Sequence, residues 1–206
     1  SHQGQTGPCV SALIDAGAAR VVVAVEDPNP QVAGRGIAAL RAAGIDVELG
    51  EGADQVEADL AGFLLRMRRG YGRITLKIAM SLDGRTAMAS GESQWITGED
   101  ARADVQRLRA GSDLMVTGVG TVLADDCRLT LRAEELPLEG DAKDRALAHP
   151  PTRMVLDSTG RTPADARILE GGQTTVVTTE NIALDEAGQT VVLGADAEGR
   201  VDIGAW

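Results

Sequence analysis

Residues 76–97, LKIAMSLDGRTAMASGESQWIT, contain the side chain best suited to bind a planar ligand. Trp95 is one of only two tryptophans in the chain, and it lies two residues after Ser93. An indole ring offers a flat apolar wall to another ring. Gly84 and Gly91 allow backbone shapes that let a ligand approach closely. Two interpretations stay open here: a ligand-binding wall, or a strand and turn followed by a buried tryptophan.

A glycine motif, GVGTVL, occupies residues 118–123 directly after an apolar run. It begins like the dinucleotide fingerprint G-x-G-x-x-G, in which glycines let the backbone approach a pyrophosphate. Leu123 stands where the third glycine is required. The motif is therefore weak evidence for a Rossmann site.

Cys9 and His2 are the possible metal ligands near the start of the chain. A catalytic zinc ion takes three protein ligands and keeps its fourth position for water. One cysteine with a lone histidine close to the terminus does not supply that set. From the residues alone, Cys9 is interpreted as the first residue of a helix.

Length and composition are ordinary for a soluble globular protein. The 206 residues are enough for one large domain or two small ones. There is no apolar run of about 18 residues that would indicate a membrane span, and the first residues lack the basic start of a signal peptide. Two cysteines are too few for a disulfide framework, so a reducing cytoplasm is expected, with no membrane partner.

The charge distribution excludes one class of partner and favours another. The net charge of −11 argues against nucleic acid, since phosphate backbones bind to basic surfaces. The excess of acidic side chains lies before residue 73 and after residue 132, because residues 73–132 hold eight basic and eight acidic side chains. This middle segment could bind an anionic small molecule.

The first third of the chain predicts a parallel α/β layer. A helix is expected over 9–16, ended by Gly17, and RVVVAV at 20–25 predicts a strand buried on both faces. The sequence DPNP at 27–30 interrupts regular structure. A second helix over 35–43 and a strand over 45–49 complete the β-loop-α-β order.

Residues 54–69 predict one long helix with an apolar stripe. Three arginines, Arg66, Arg68 and Arg69, lie in its last turn, where cations suit the helix dipole. We favour this explanation over an anion site. A domain boundary is expected near 70–72. The stripe consists of Val56, Leu60, Phe63, Leu64 and Met67.

The remaining chain predicts a second α/β domain. After a strand at the start of 76–97, the residues from Thr97 to Asp100 resemble a capping box that begins a helix. Its inward side chains are expected to be Ala101, Val105 and Leu108. Strands are predicted over 114–119, 153–157, 174–178 and 190–193, and the polar residues 133–151 predict a long surface loop.

Four stretches of the second domain resemble the reductase domain of the bifunctional deaminase–reductase family of riboflavin biosynthesis. They are LKIAMSLDGRTAMASGESQWITG, ARADVQRLRAGSD, TGVGTVLADDCRLTLR and RMVLDS, in the family's order and spacing. The resemblance implies a fold like dihydrofolate reductase, which binds NADPH without a full glycine fingerprint.

The resemblance also implies roles for individual residues. Arg109 and Arg132 stand in positions of the substrate site and can make forked, charge-assisted hydrogen bonds to a phosphate. The resemblance assigns no general acid. Lys77 belongs to the same strand and either helps to bind anions or is merely solvated. The residues in the positions that contact NADP are Ala79, Trp95, Thr121, Asp125 and Ser158. Those in the positions that contact the substrate are Ser93, Arg109, Leu129 and Arg132.

The N-terminal SHQGQTGPC resembles the second half of the zinc signature in the family's deaminase domain. By this resemblance Cys9 is the second cysteine ligand of zinc. The first cysteine would precede Ser1, and the His-Ala-Glu motif with its proton-shuttling glutamate would lie further upstream. The resemblance therefore implies that residues 1–70 are the C-terminal part of a cytidine-deaminase-like α/β/α domain, in which the deaminase site is inactive.

Residues 71–206 are then most of the dihydrofolate-reductase-like α/β domain. The implied reaction is hydride transfer from NADPH to the ribosyl C1′ of 5-amino-6-(5-phosphoribosylamino)uracil, giving a ribityl chain. Cys127 departs from the family's usual proline and would place a thiol beside the cofactor site. The family's Glu-Gly/Ala-Gly-Pro stretch would come after Trp206.

Three possibilities stay open for the chain itself. It is an enzyme fragment with reductase activity, a non-catalytic nucleotide-binding module, or an inert fragment with an exposed sheet edge. The parent family implies a possible homodimer, although no interface is evident in the sequence.

Overall fold

The computed structural model describes residues 7–171, 174–180 and 189–205. The chain divides into two compact units, Ser1–Lys77 and Ile78–Trp206. Each unit contains parallel strands and helices, so the predicted α/β class is confirmed. Among the described helices, none has the length and apolar character needed to cross a bilayer.

The first unit begins with two helices and two strands in alternation. They are α1 (Cys9–Asp15), β1 (Arg20–Val23), α2 (Arg35–Ala42) and β2 (Asp46–Leu49). Strands β1 and β2 pair in parallel, with Val21 opposite Val47. Gly17, just after α1, has φ +68°, the left-handed conformation that glycine adopts most easily. The predicted order of elements is confirmed here.

Strand β1 is not buried on both faces, contrary to the prediction. Its side chains alternate between exposed and half-buried, and Val22 is exposed. In this unit β1 has β2 as its paired neighbour, and the buried cluster of Leu40, Ile45 and Val47 packs against Val21 and Val23. One face of the strand is covered, and the other is not.

The long helix predicted over 54–69 is two helices, α3 (Ala53–Asp59) and α4 (Ala61–Arg69). The break is at Leu60, whose φ of −103° and ψ of 17° leave the helical region. Gly62, directly after the break, has a low helix propensity. Arg68 donates two hydrogen bonds to Glu57 across the break, at 2.9 and 2.7 Å. This pairing supports the structural explanation for the arginine cluster.

The second unit contains a four-stranded parallel sheet of β3 (Leu114–Gly118), β4 (Thr152–Leu156), β5 (Thr174–Thr178) and β6 (Gln189–Val192), in that order. Val155, Ile168 and Val176 are fully buried in its core. Because all four strands are parallel, their carboxyl ends lie at one edge of the sheet, where ligands bind in open α/β folds. The unit also contains α5 (Glu99–Ala110), α6 (Val119–Asp125) and α7 (Gly140–Ala148).

The strand predicted at the start of residues 76–97 is not formed. Residues 73–80 have no regular secondary structure, and no described strand pairs with them. The side chains of Leu76 and Leu82 are 81% and 110% exposed. A strand needs a partner for its backbone N–H and C=O groups, so alternating apolar residues alone did not produce one.

Three other predictions for this unit are wrong. Residues 133–151 are not one loop, since α7 lies within them, with Asp141 in its first turn and Arg145 in its last, both favourable to the helix dipole. Helix α5 begins after Gly98 without a side-chain cap, so the expected capping box is absent from it. Its buried residue is Gln106, whereas Leu108 is exposed.

Candidate active site

A pocket of about 470 Å³ in the second unit brings together Ser93, Trp95 and Asp125. Two separate parts of the sequence form it: the segment before α5 and the end of α6. The pocket thus presents an indole ring, a hydroxyl and a carboxylate to one volume. Its remaining lining residues are Glu92, Gln94 and Ala124.

Trp95 is 68% exposed, so the interpretation of a buried tryptophan is wrong. The guanidinium of Arg102 lies 4.8 Å from the centroid of the Trp95 ring, a cation–π contact. Arg102 also donates a hydrogen bond of 2.9 Å to the carbonyl oxygen of Thr97. Arg102 therefore fixes the indole ring and the chain that carries it.

Arg109 lies on α5, and Arg132 lies close to it in the segment that follows α6. The Nη1 group of Arg109 donates to the carbonyl oxygen of Thr130 at 3.0 Å, and its Nε is buried without a partner among the described residues. Burial, with a further contribution from the positive charge of Arg132, lowers the pKa of Arg109. Two neighbouring guanidinium groups, one with a free buried donor, fit an anion such as a phosphate.

Leu129 and Cys127 pack against the core of the second unit. Leu129 has φ +52°, a left-handed conformation that is uncommon for this residue type. The thiol of Cys127 is half-buried, and burial raises its pKa. A substrate contact by Leu129 stays a prediction.

Thr121 and Ser158 follow neighbouring strands at the carboxyl edge of the sheet. Gly118 at the end of β3 is in register with Leu156 at the end of β4. Ser158 accepts a hydrogen bond of 3.0 Å at Oγ from the backbone N–H of Val201. Thr121 is exposed on α6.

Ala79 lies in the irregular segment that precedes the pocket and is half-buried. Ala79, Thr121 and Ser158 are not among the residues that line the pocket. Their proposed contacts with a cofactor therefore stay predictions.

The motif at 118–123 forms a direct strand-to-helix junction, with β3 ending at Gly118 and α6 starting at Val119. A Cβ atom at Gly118 or Gly120 would meet no atom within 4 Å. Packing does not require glycine at either position. With Leu123 in the third glycine position, the motif lacks the full Rossmann fingerprint.

Cys9 is an exposed free cysteine at the start of α1. Within residues 7–171, 174–180 and 189–205, no three His, Cys, Asp or Glu side chains are grouped to hold a metal ion. Those residues alone do not fit the three-ligand set of a catalytic zinc. His2 lies outside the described residues, and zinc ligation by Cys9 stays a prediction.

Sequence reasoning missed Arg102, Gln106 and Glu135. Arg102, Gln106 and Arg109 occur at i, i+4 and i+7, so they share one face of α5. This polar stripe on one helix face is the signal that indicates Arg102 and Gln106, and apolar spacing alone does not indicate them.

Comparison with known proteins gives consistent relatives. The chain is 52% identical over 180 residues to the riboflavin biosynthesis protein RibD of Escherichia coli, covering 84% of this chain and 48% of that protein. It is 50% identical over 163 residues to RibD of Haemophilus influenzae, covering 78% and 44%. The chain thus spans about half the length of these relatives.

Solved structures agree with the sequence matches. Acinetobacter baumannii RibD, form 1, has a TM-score of 0.80 and 44% identity, over 94% of this chain and 53% of that one. The Thermotoga maritima diaminohydroxyphosphoribosylaminopyrimidine deaminase/5-amino-6-(5-phosphoribosylamino)uracil reductase has a TM-score of 0.80 and 30% identity, over 96% and 53%. The predicted fold, with a dihydrofolate-reductase-like second domain, is supported by both.

The family model described as the RibD C-terminal domain matches residues 73–205, well over half of the chain. The match includes the pocket and both arginines beside α5. This chain belongs to the RibD C-terminal domain family.

Proposed function

We propose that the second unit is a reductase that acts on 5-amino-6-(5-phosphoribosylamino)uracil with NADPH. The observation that carries the proposal is the pocket that joins Ser93, Trp95 and Asp125, in a chain of the RibD C-terminal domain family. The Thermotoga maritima relative is named as a reductase of this compound. NADPH would supply the hydride that reduces the ribosyl C1′ to a ribityl chain.

The chain's own residues bind and orient the reactants. Trp95 offers its exposed ring face to a flat heterocycle, and Arg102 keeps the indole in place. Asp125 accepts hydrogen bonds from sugar hydroxyls, and Ser93 binds the substrate beside it. Arg109 and Arg132 bind the substrate phosphate through charge-assisted hydrogen bonds.

Cofactor binding extends along the carboxyl edge of the sheet. Thr121 and Ser158 follow adjacent parallel strands there, and Ala79 precedes the pocket segment. We assign all three to NADPH contacts. Such an edge is the usual ligand-binding region of an open α/β sheet.

We further infer that residues 1–70 are the C-terminal part of a deaminase domain and that 71–206 are the reductase domain. Cys9 would then be one zinc ligand of the complete protein. The complete protein would carry out the zinc-dependent deamination before the reduction, in the cytoplasm and as a homodimer. On its own, the described part of residues 1–70 lacks a grouped ligand set.

The test is turnover of NADPH by the purified 206-residue chain with the aminouracil phosphate. We expect NADPH absorbance to fall only when the substrate is present, and Trp95→Leu to weaken this activity more than Tyr71→Leu, a change at another exposed aromatic. NADPH binding without turnover would instead support a nucleotide-binding module. Absence of both, in a chain that unfolds cooperatively, would contradict the proposed function.

A further inference from the structure

Two side chains on α5 hold the loop that carries Arg132. Arg109 donates to the carbonyl oxygen of Thr130 at 3.0 Å. The amide oxygen of Gln106 accepts the backbone N–H of Arg132 at 3.1 Å. The position of Arg132 is therefore set by the helix, not by the loop alone.

Gln106 also contacts an acidic residue of the same loop. Its Nε2 group donates to Oε2 of Glu135 at 3.3 Å. Gln106 is only 2% exposed, and both of its polar ends have partners. Loss of either partner would leave a buried amide group unsatisfied, which costs free energy. Gln106 therefore fixes the loop through both Arg132 and Glu135, at the turn formed by residues 133–135.

Glu135 pairs directly with Arg132, whose Nη1 donates to the Oε1 of Glu135 at 2.8 Å. The side chain of Arg132 is 47% exposed and that of Glu135 is 33% exposed. The hydrogen bond from Arg132 lowers the pKa of Glu135. An ion pair this exposed contributes little free energy, so another anion can displace the carboxylate.

We propose that Glu135 is a counter-ion that competes with the substrate phosphate for Arg132: its carboxylate pairs with Arg132, and a phosphate dianion displaces it. The proposal rests on the assignment of Arg109 and Arg132 to the substrate phosphate. A phosphate ester carries about −1.5 to −2 charges near neutral pH, against −1 on the carboxylate. A phosphate therefore competes well with the carboxylate, but every anion that binds Arg132 must break the same ion pair, so Glu135 lowers the affinity for all of them by the same factor. Gln106 holds the backbone of Arg132 to α5 during the exchange.

The experiment measures binding of ribose 5-phosphate to the full 206-residue chain by calorimetry. Glu135→Gln removes the competing charge, and Glu134→Gln removes the adjacent exposed charge as a matched control. We expect Glu135→Gln to tighten binding about two- to five-fold, the range of a weak surface ion pair, and Glu134→Gln to change it far less. A gain of affinity is a result that mere loss of structure would not give.

A second comparison tests selectivity. Gluconate, a sugar acid with one negative charge, should gain no more affinity from Glu135→Gln than ribose 5-phosphate does, because both anions must break the same Arg132–Glu135 pair and the displaced carboxylate repels a dianion more strongly. In Gln106→Leu, the effect of Glu135→Gln should shrink, since Gln106 no longer holds the backbone of Arg132. If Gln106→Leu does not fold, the comparison of Glu135→Gln with Glu134→Gln alone decides whether Glu135 competes for Arg132.

The possible failures are distinguishable. If Arg132→Gln weakens ribose 5-phosphate binding but Glu135→Gln and Glu134→Gln behave alike, the counter-ion proposal is wrong and the phosphate site stands. If Arg132→Gln has no effect either, the phosphate site and this proposal both fail.

Discussion

The guanidinium carbon of Arg102 lies 4.8 Å from the centroid of the Trp95 ring. The contact joins α5 to the pocket segment, in which residues 89–97 have no helix or strand of their own. Trp95 is consequently positioned by a side chain of the helix that follows it. This relationship leads directly to the first prediction.

Replacing Arg102 with Met should weaken NADPH binding about two- to five-fold, because a partly exposed cation–π contact contributes roughly 0.5–1 kcal/mol. The loss of the hydrogen bond to the carbonyl of Thr97 adds to the effect. Titration of NADPH against the purified chain measures the change. Arg107→Met on the same helix removes an equal charge that pairs with Asp104 instead, and an equal loss in that variant would contradict a specific role for Arg102.

Arg109→Gln should raise the KM for the aminouracil phosphate at least about ten-fold, as expected when a charge-assisted hydrogen bond is lost. The effect on kcat should be smaller, because the phosphate is remote from the reacting carbon. Steady-state kinetics separate the two constants. Arg128→Gln, which removes an exposed ion pair with Glu170, is the control and should leave KM nearly unchanged.

Asp157 supports the carboxyl edge of the sheet and should make stability depend on pH. Its side chain is buried, and its Oδ2 accepts two hydrogen bonds of 2.7 Å from the N–H and hydroxyl of Thr162. Although burial on its own would raise the pKa of Asp157, these bonds and further backbone N–H groups lower it overall.

Because the folded-state pKa is lowered, the stabilisation is present above the ordinary aspartate pKa and is lost as the pH falls through the folded value. Asp157→Asn should reduce the free energy of unfolding at neutral pH by about 1–3 kcal/mol and flatten its decline in acid. Urea unfolding at several pH values measures both. Asp165→Asn changes an exposed carboxyl nearby in the sequence and should alter neither the free energy of unfolding at neutral pH nor its decline in acid. If the free energy of unfolding of Asp157→Asn declines in acid as it does in the unchanged chain, the lowered pKa of Asp157 is contradicted.

The two cysteines should react at different rates. Cys9 is exposed, whereas Cys127 is half-buried and burial raises its pKa. Since the thiolate is the reactive form, iodoacetamide should modify Cys9 several-fold faster than Cys127 at neutral pH. Mass spectrometry of the Cys9→Ser and Cys127→Ser chains follows the reaction of each remaining thiol separately. Faster modification of Cys127 than of Cys9 would contradict the half-buried position of the Cys127 thiol.

Much of the fold follows from local sequence. The order from α1 to β2 was predicted because Gly17 and the DPNP segment end elements through their own backbone preferences. The predicted strands at 114–119, 153–157 and 174–178 match β3, β4 and β5 within two residues. Runs of β-branched and apolar residues bounded by turn residues are signals that need no knowledge of distant contacts.

The candidate site was only partly predictable. Ser93, Trp95 and Asp125 were singled out and share a pocket, whereas Gln106 and Arg102 were not expected to matter. The role of Gln106 depends on Arg132 and Glu135, which are 26 and 29 residues away in the sequence. Helix periodicity places Gln106 on a face, but it does not say what that face meets.

The sequence by itself determined the α/β class, the positions of most helices and strands, and the family to which residues 73–205 belong. Those features depend on backbone propensities and residue patterns within short windows. Tertiary structure alone decided that β1 is covered on one face, that residues 73–80 form no strand, and that Gln106 is buried with two polar partners. Burial and strand pairing depend on which distant segments meet, and that information is not contained in any local pattern.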